Sequence, residues 1–341
     1  MAKHDAGALK QLQSLPLDAK IALTEKRIRE WYDHFDGNVY VSFSGGKDST
    51  VLKHIVDSLY TDVPAVFVNT GLEYPEIQRF VQDIKGRRHP CFNADVEILR
   101  PEMRFDEVLK KYGYPVLSKE VSEAVGECQR NNGKETFRRR KLRGELLDRE
   151  GNPSQYNQAK WAFLLDAPFP ISGSCCDVMK KRPAKQYEKR TGRKPIVGTM
   201  ADESRLRFSK WMQHGCNAYD MQRQMSQPLS FWTEQDVLHY IKRYNVPYAA
   251  VYGDIVARRN PSQIDGQTCM ADCLGCYSED DALETTGAQR TGCIFCMFGV
   301  HLEKQPNRFQ RLKVTHPRQW QYCMDELGLR EVLEYINVPY E

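Results

Sequence analysis

Ser44-Gly45-Gly46-Lys47-Asp48-Ser49-Thr50 gathers two glycines, an ammonium, a carboxylate and three hydroxyls into one heptapeptide. Consecutive glycines permit a turn that side chains forbid, so successive backbone amides can converge on a phosphate. Lys47 adds a full positive charge, and the Ser44 and Ser49 hydroxyls can donate further hydrogen bonds. Asp48 would repel phosphates unless a cation stood between them, which suits it to holding Mg²⁺. The segment is not the GxxxxGK pattern followed by Ser or Thr, because Asp follows Lys47 and the first glycine is misplaced. The second chemical resource is 11 cysteines, crowded into the second half. An odd number of clustered thiols points to metal binding in a reducing compartment rather than to a disulfide framework. Cys273-x-x-Cys276 and Cys293-x-x-Cys296, with sixteen residues between them, have the spacing of a four-cysteine zinc ribbon.

The elements that must position these residues follow from periodicity. Asp18 to Phe35 carries a helical stripe, with Asp18 as its cap and Gly37 as its stop. Val39–Phe43 reads as a buried strand leading into the glycine turn, and Val51, Leu52, Ile55, Val56 and Leu59 give the helix after it. A second strand is expected at Ala65–Val68, followed by Thr70-Gly71 and another helix, then a third strand at Val96–Leu99 and a fourth at Lys194–Gly198. This alternation predicts an α/β fold, an open parallel sheet wrapped by helices. Residues 1–37 form an N-terminal helical segment. Residues 38–210 form the nucleotide-binding domain, with a helical insertion at about 118–170. Residues 211–341 make a mostly helical C-terminal region with few strand signals and a Cys-rich segment at 269–296. Thr233 with Asp236 marks a capping box.

The 341 residues are 41% hydrophobic and 28% charged, enough for a packed core, and the net charge of +4 is too near balance to imply nucleic acid. No run of 18 apolar residues exists, which excludes a spanning helix, and the first twenty residues lack a secretory signal. A cytoplasmic protein away from the membrane is expected. The run Arg138-Arg139-Arg140-Lys141-Leu142-Arg143 could grip the phosphates of a nucleic-acid acceptor, but Glu135, Glu145 and Asp148 favour a solvated helical face.

The heptapeptide resembles the PP-loop of the N-type ATP pyrophosphatases, the adenine nucleotide alpha-hydrolase-like group. Three further segments are similar to motifs of the phosphoadenosine phosphosulfate reductase family: Val68-Asn-Thr70-Gly71-Leu-Glu-Tyr-Pro-Glu, Val197-Gly198-Thr-Met-Ala-Asp-Glu203-Ser204-Arg205, and Pro228-Leu-Ser-Phe-Trp232-Thr-Glu-Gln-Asp236-Val. The resemblance implies an adenine-nucleotide site at Ser44, Gly45, Gly46, Lys47, Asp48, Ser49, Thr50, Thr70, Gly71, Gly198 and Arg205, with Lys47 and Asp48 catalytic. It also implies that Cys175-Cys176 with Cys293 and Cys296 resembles the ligand set of a 4Fe-4S cluster, the alternative being Zn²⁺ on Cys273, Cys276, Cys293 and Cys296.

Two departures bear on the reaction. Sulfonucleotide reductases of this type lack the loop lysine, which this chain keeps as Lys47. They also carry a nucleophilic cysteine in a Glu-Cys-Gly-Leu/Ile-His segment near the C-terminus, where this chain ends Tyr335-Ile-Asn-Val-Pro-Tyr-Glu341. The reading that follows is an enzyme using ATP and Mg²⁺ to adenylylate an acceptor with release of pyrophosphate, supporting sulfur transfer (thiolation) with an iron–sulfur cluster. Its partners would be a sulfur donor such as a cysteine desulfurase, or a thiol reductant. The alternatives are an adenylylsulfate or phosphoadenylylsulfate reductase using an external thiol, and a nucleotide-binding, cluster-bearing sensor or complex subunit without turnover.

Overall fold

Short β-branched runs bounded by turn residues become the buried strands of one sheet. A computed structural model describes residues 4–131, 134–258 and 281–341. In chain order the elements used below are α1 (Ala6–Gln13), α2 (Leu17–His34), β1 (Val39–Ser42), α3 (Lys47–Leu59), β2 (Ala65–Val68), α4 (Pro75–Lys85) and β3 (Val96–Leu99). They continue with α5 (Phe105–Tyr112), β4 (Val116–Leu117), α6 (Lys119–Arg130), α7 (Phe137–Arg143), α8 (Arg182–Thr191) and β5 (Lys194–Val197). Then come α9 (Arg205–His214), β6 (Asn217–Ala218), β7 (Met225–Ser226) and α10 (Glu234–Arg243). The chain divides into two interleaved units. Met1–Asn69, Glu73–Leu99 and Ala184–Thr291 form the first; Thr70–Leu72, Arg100–Pro183 and Gly292–Glu341 form the second. Within the first unit β5, far along the chain, returns to pair with β1.

The sheet of the first unit has the order β3-β2-β1-β5-β7-β6. All pairings are parallel except β6 with β7. The expected open parallel sheet is present, with an antiparallel edge that the sequence did not announce. Val39 and Val41 of β1 are fully buried, covered by Ile28 and Trp31 of α2 and by Val51, Leu52, Ile55 and Val56 of α3. Each such side chain withdrawn from water contributes roughly 1.5–3 kcal/mol. Neighbours on opposite sides of β1 lead the chain in opposite directions, so the loops after β1 and β5 diverge at the carboxyl ends of the strands. In open α/β sheets this divergence makes the ligand crevice.

Capping was partly legible. Thr233 and Asp236 form the expected box, with the Thr233 backbone N–H donating to Asp236 Oδ2 at 2.7 Å. Buried Lys20 on α2 donates to the same carboxylate at 2.7 Å, fixing the start of α10 against α2. Asp18 is not the cap of α2: Pro16 holds that position, and Asp18 instead pairs with Arg243.

In the second unit, β4 pairs in parallel with the strand Met297–Phe298, and Tyr114 bridges to Ile171. The insertion folds as α6, α7 and a 3-10 segment, Ala159–Asp166. The basic run occupies α7 and is largely consumed locally. Arg138 pairs with Glu127, Lys141 with Glu120 and Arg143 with Glu135, while Arg139 donates to the Cys128 carbonyl. The solvated, internally balanced helix is what the structure shows, and a nucleic-acid acceptor gains no support. Among the described residues no helix is long and apolar enough to cross a membrane.

Gly45 sits at φ +72°, and a Cβ there would stand 2.7 Å from Cγ2 of Ile77 and 3.1 Å from Cγ2 of Val81. Gly45→Ala should therefore destabilise the protein by about 1–3 kcal/mol. Urea denaturation checks this; a loss below about 0.5 kcal/mol would mean the turn relaxes freely.

Candidate functional site

The loop between β1 and α3 is closed by its own hydroxyls. Ser44 and Ser49 share a hydrogen bond of 2.9 Å between their Oγ atoms, the Ser49 hydroxyl lies 2.9 Å from the Gly46 carbonyl, and the Gly46 N–H donates to Ser44 Oγ. Opposite it, a Cβ on Gly198 after β5 would stand 3.1 Å from the Asp48 carbonyl oxygen, so a side chain there would press the start of α3 back by a few tenths of an ångström. A cavity of about 230 Å³ opens at this point. It is smaller than the roughly 300–1,000 Å³ typical of whole small-molecule sites and suits the phosphate end of a nucleotide.

Lys47 is 4% exposed. Its Nζ lies 2.7 Å from Glu234 Oε1, donates to the Gln289 carbonyl at 2.5 Å, and stands 5.4 Å from the centroid of the Tyr252 ring. Its backbone N–H donates to the Tyr252 hydroxyl, which shares a 2.6 Å hydrogen bond with Thr291. Burial pushes the Tyr252 phenol up to about 12, keeping it neutral. Asp48, in the first turn of α3, is pushed upward by burial against the opposing pull of Lys47. Its Oδ1 is buried and has no hydrogen-bond partner among the described residues. A buried carboxylate oxygen with nothing to accept from fits a cation ligand.

The structure sorts the residues expected here. Ser44, Gly46, Lys47 and Asp48 line the cavity; Gly45 and Ser49 shape the loop behind it. Thr50 is fully buried on α3 and does not line the cavity. Arg205 and Arg207 are placed differently. Arg205 is exposed, whereas Arg207 lines the cavity. Two residues apart on a helix is about 200°, so only one of the pair can face inward. Burial lowers the Arg207 pKa, nearby Arg290 adds repulsion, and Asp48 opposes both. Arg207 also pairs with Glu203. Glu234, Tyr252, Arg290 and Thr291 were not anticipated, although Glu234 lies inside the Trp232–Asp236 motif that was. Thr70 and Gly71 belong to the second unit, where the Thr70 hydroxyl accepts from the Leu72 N–H at 3.1 Å.

The second unit also assembles thiols. Cys175 and Cys176 follow the Ile171–Ser172 stretch, which is held to Tyr114 by a bridge and by the Ser172 N–H. Cys293 and Cys296 immediately precede Met297–Phe298, held to Val116 and Leu117. One short segment, 114–117, thus gathers both thiol pairs. They lie close enough to interact: burial first, then Cys293, Cys176 and Cys296, raise the Cys175 pKa, while Lys180 opposes. Burial also raises the Cys296 pKa, opposed by Arg308, which donates to the Cys296 carbonyl. Among the described residues no three His, Cys, Asp or Glu side chains are arranged for a single metal ion. Four soft donors with Lys180 and Arg308 alongside make a set of the kind that binds metals or clusters. Cys273 and Cys276 of the zinc alternative lie outside the described residues. Cys323 is buried, its Sγ donates to the Trp320 carbonyl, and burial pushes it up to about 12, so it is no ready nucleophile. His301 packs edge-on against Trp161, as a structural histidine does.

The fold and cavity define an open-sheet α/β protein with a small, charged crevice at the strand-order reversal. The chain belongs to the phosphoadenosine phosphosulfate reductase family: the phosphoadenosine phosphosulfate reductase domain matches residues 38–139 and 141–296. An uncharacterized protein of Methanocaldococcus jannaschii is 39% identical over 89 residues, 26% of this chain and 18% of that protein. Phosphoadenosine 5′-phosphosulfate reductase of Alkalilimnicola ehrlichii is 29% identical over 91 residues, 27% of this chain and 36% of that one. The Escherichia coli reductase of the same name is 28% identical over 96 residues, 26% and 39% respectively. The matches thus span well under half the length of these curated relatives. The crystal structure of phosphoadenylyl-sulfate (PAPS) reductase from Candida auris, a phosphate complex, aligns with a TM-score of 0.38 and 15% identity over 72% of this chain and 90% of that one.

If the inward arginine contacts the bound anion, Arg207→Ala should weaken nucleotide binding about tenfold or more, the worth of one charged hydrogen bond. Arg205→Ala should change it less than twofold. Titration calorimetry separates them, and equal effects would refute the assignment.

Proposed function

We propose that this chain is an adenine-nucleotide enzyme of sulfur chemistry that reduces adenylyl- or phosphoadenylyl-sulfate with thiols supplied by another molecule. The observation that carries this reading is the family domain, which spans both the PP-loop and the Cys293–Cys296 pair. In this reading a thiolate of the donor attacks the sulfonate sulfur, the bond from sulfur to the bridging oxygen breaks, and the nucleotide leaves as its phosphate. A second thiol then displaces sulfite, leaving a disulfide on the donor. An external donor suits this reading, since Cys323 is buried and its thiol is pushed up by that burial, and no Glu-Cys-Gly-Leu/Ile-His segment is present in the sequence. The loop amides, Lys47 and Arg207 would receive the charge that develops on the departing phosphate, already oriented before reaction. Cys175, Cys176, Cys293 and Cys296 would hold a 4Fe-4S cluster, which supplies a polarising, redox-capable group. The reduced thiols that this requires are consistent with a cytoplasmic setting.

One observation favours a second reading. Lys47 lines the crevice where a sulfonucleotide has no outer phosphate to meet it, and Asp48 has a free oxygen for Mg²⁺. Both suit ATP, whose α-phosphate would be attacked by an acceptor with pyrophosphate leaving, so that the adenylylated acceptor becomes open to thiolation.

Two assays on anaerobically purified protein decide between them. Sulfite release from either sulfonucleotide with thioredoxin, and no pyrophosphate from ATP, is the expected outcome. Acceptor-dependent pyrophosphate release without sulfite would replace it with the ATP reading. Nucleotide binding with neither product would leave a cluster-bearing sensor or complex subunit. A broad absorbance near 400 nm (roughly, as thiolate-bound clusters show) should vanish in Cys175→Ser and Cys296→Ser but persist in Cys323→Ser. Stoichiometric zinc without iron would overturn the cluster.

A further inference from the structure

The Lys47 side chain is only 5% exposed, at the cavity wall, and its two partners differ in kind. The Gln289 carbonyl is a neutral backbone acceptor. Glu234 is a charged side chain whose carboxylate, 2.7 Å away, is 49% exposed. Glu234 is the first residue of α10, whose N-terminus is anchored independently by the Thr233–Asp236 box and by Lys20. Its side chain can therefore swing into water without disturbing the helix. Lys47 has no such freedom.

We infer that Glu234 is a specificity-determining residue, a built-in competitor that an incoming anion must displace from Lys47. This rests on the reading of the crevice as a nucleotide phosphate site. A ligand that places a phosphate group on Lys47 must expel Glu234, so its net gain is the difference between the two anions. A ligand that presents no charge there leaves the Lys47–Glu234 pair intact and escapes the competition. The carboxylate thus lowers affinity for long polyphosphate tails selectively. This narrows the gap between nucleotides that have outer phosphates and those that lack them. Glu203, the partner of Arg207, does not perform this function, since it is the more buried and its side chain is only 13% exposed.

The test compares wild type, Glu234→Gln, Lys47→Met and the double variant by calorimetric titration with adenosine, AMP, ATP and inorganic pyrophosphate, each with and without Mg²⁺. Glutamine keeps the length and the hydrogen bond but removes the competing charge. Glu234→Gln should tighten ATP and pyrophosphate roughly fivefold, the upper range for a partly exposed ion pair. Adenosine should stay within twofold. In the Lys47→Met background the same substitution should have no effect, since additivity fails only for groups that touch. Unchanged ATP affinity in Glu234→Gln would overturn the inference while leaving the nucleotide site standing. So would a loss of Mg²⁺-dependent affinity, which would make Glu234 a metal ligand. If no adenine nucleotide binds to wild type, the reading of the crevice itself fails.

Discussion

A buried ammonium is the constraint around which the first unit is arranged. An unpaired charge at 4% exposure would be prohibitively costly, so Lys47 must carry its counterion with it. The counterion comes from α10 and the neutral acceptor from the chain at Gln289, while Tyr252 and Thr291 brace the backbone at the same residue. The sheet order makes this meeting possible. Only at the β1/β5 reversal do strand ends diverge enough to admit a loop from each side, and Gly198 puts no side chain between those loops.

The second unit solves a different problem with equal economy of parts. Four thiols come from two segments more than a hundred residues apart in sequence, and residues 114–117 hold both by backbone pairing. Side-chain packing need only refine what the main-chain hydrogen bonds have aligned. Lys180 and Arg308 then offset charge on the sulfurs.

Much of the fold was legible because it rests on strong local signals. The strands at 39–42, 65–68, 96–99 and 194–197 are β-branched and bounded by turn residues, and each was expected where it occurs. The strands β4, β6 and β7 were not, since two residues carry no period to read. The loop of the candidate site was visible for the same reason, being contiguous. Its walls were not. Glu234, Tyr252 and Arg290 come from distant positions with ordinary neighbours, and nothing in their local sequence says that they converge. The choice between Arg205 and Arg207 turned on the helical phase of α9, which depends on where that helix begins. The same limit applies to Asp18, which looks like a cap until Pro16 is seen to start the helix.

The placement of the thiols has a consequence for biogenesis. Cys175 and Cys176 emerge from the ribosome long before Cys293, and the strand Met297–Phe298 that seats the later pair emerges later still. A nascent chain halted anywhere short of that strand exposes two adjacent thiols with no partners, open to oxidation or to scavenging by stray metals. The four thiols therefore come together only once the chain has been made past Phe298.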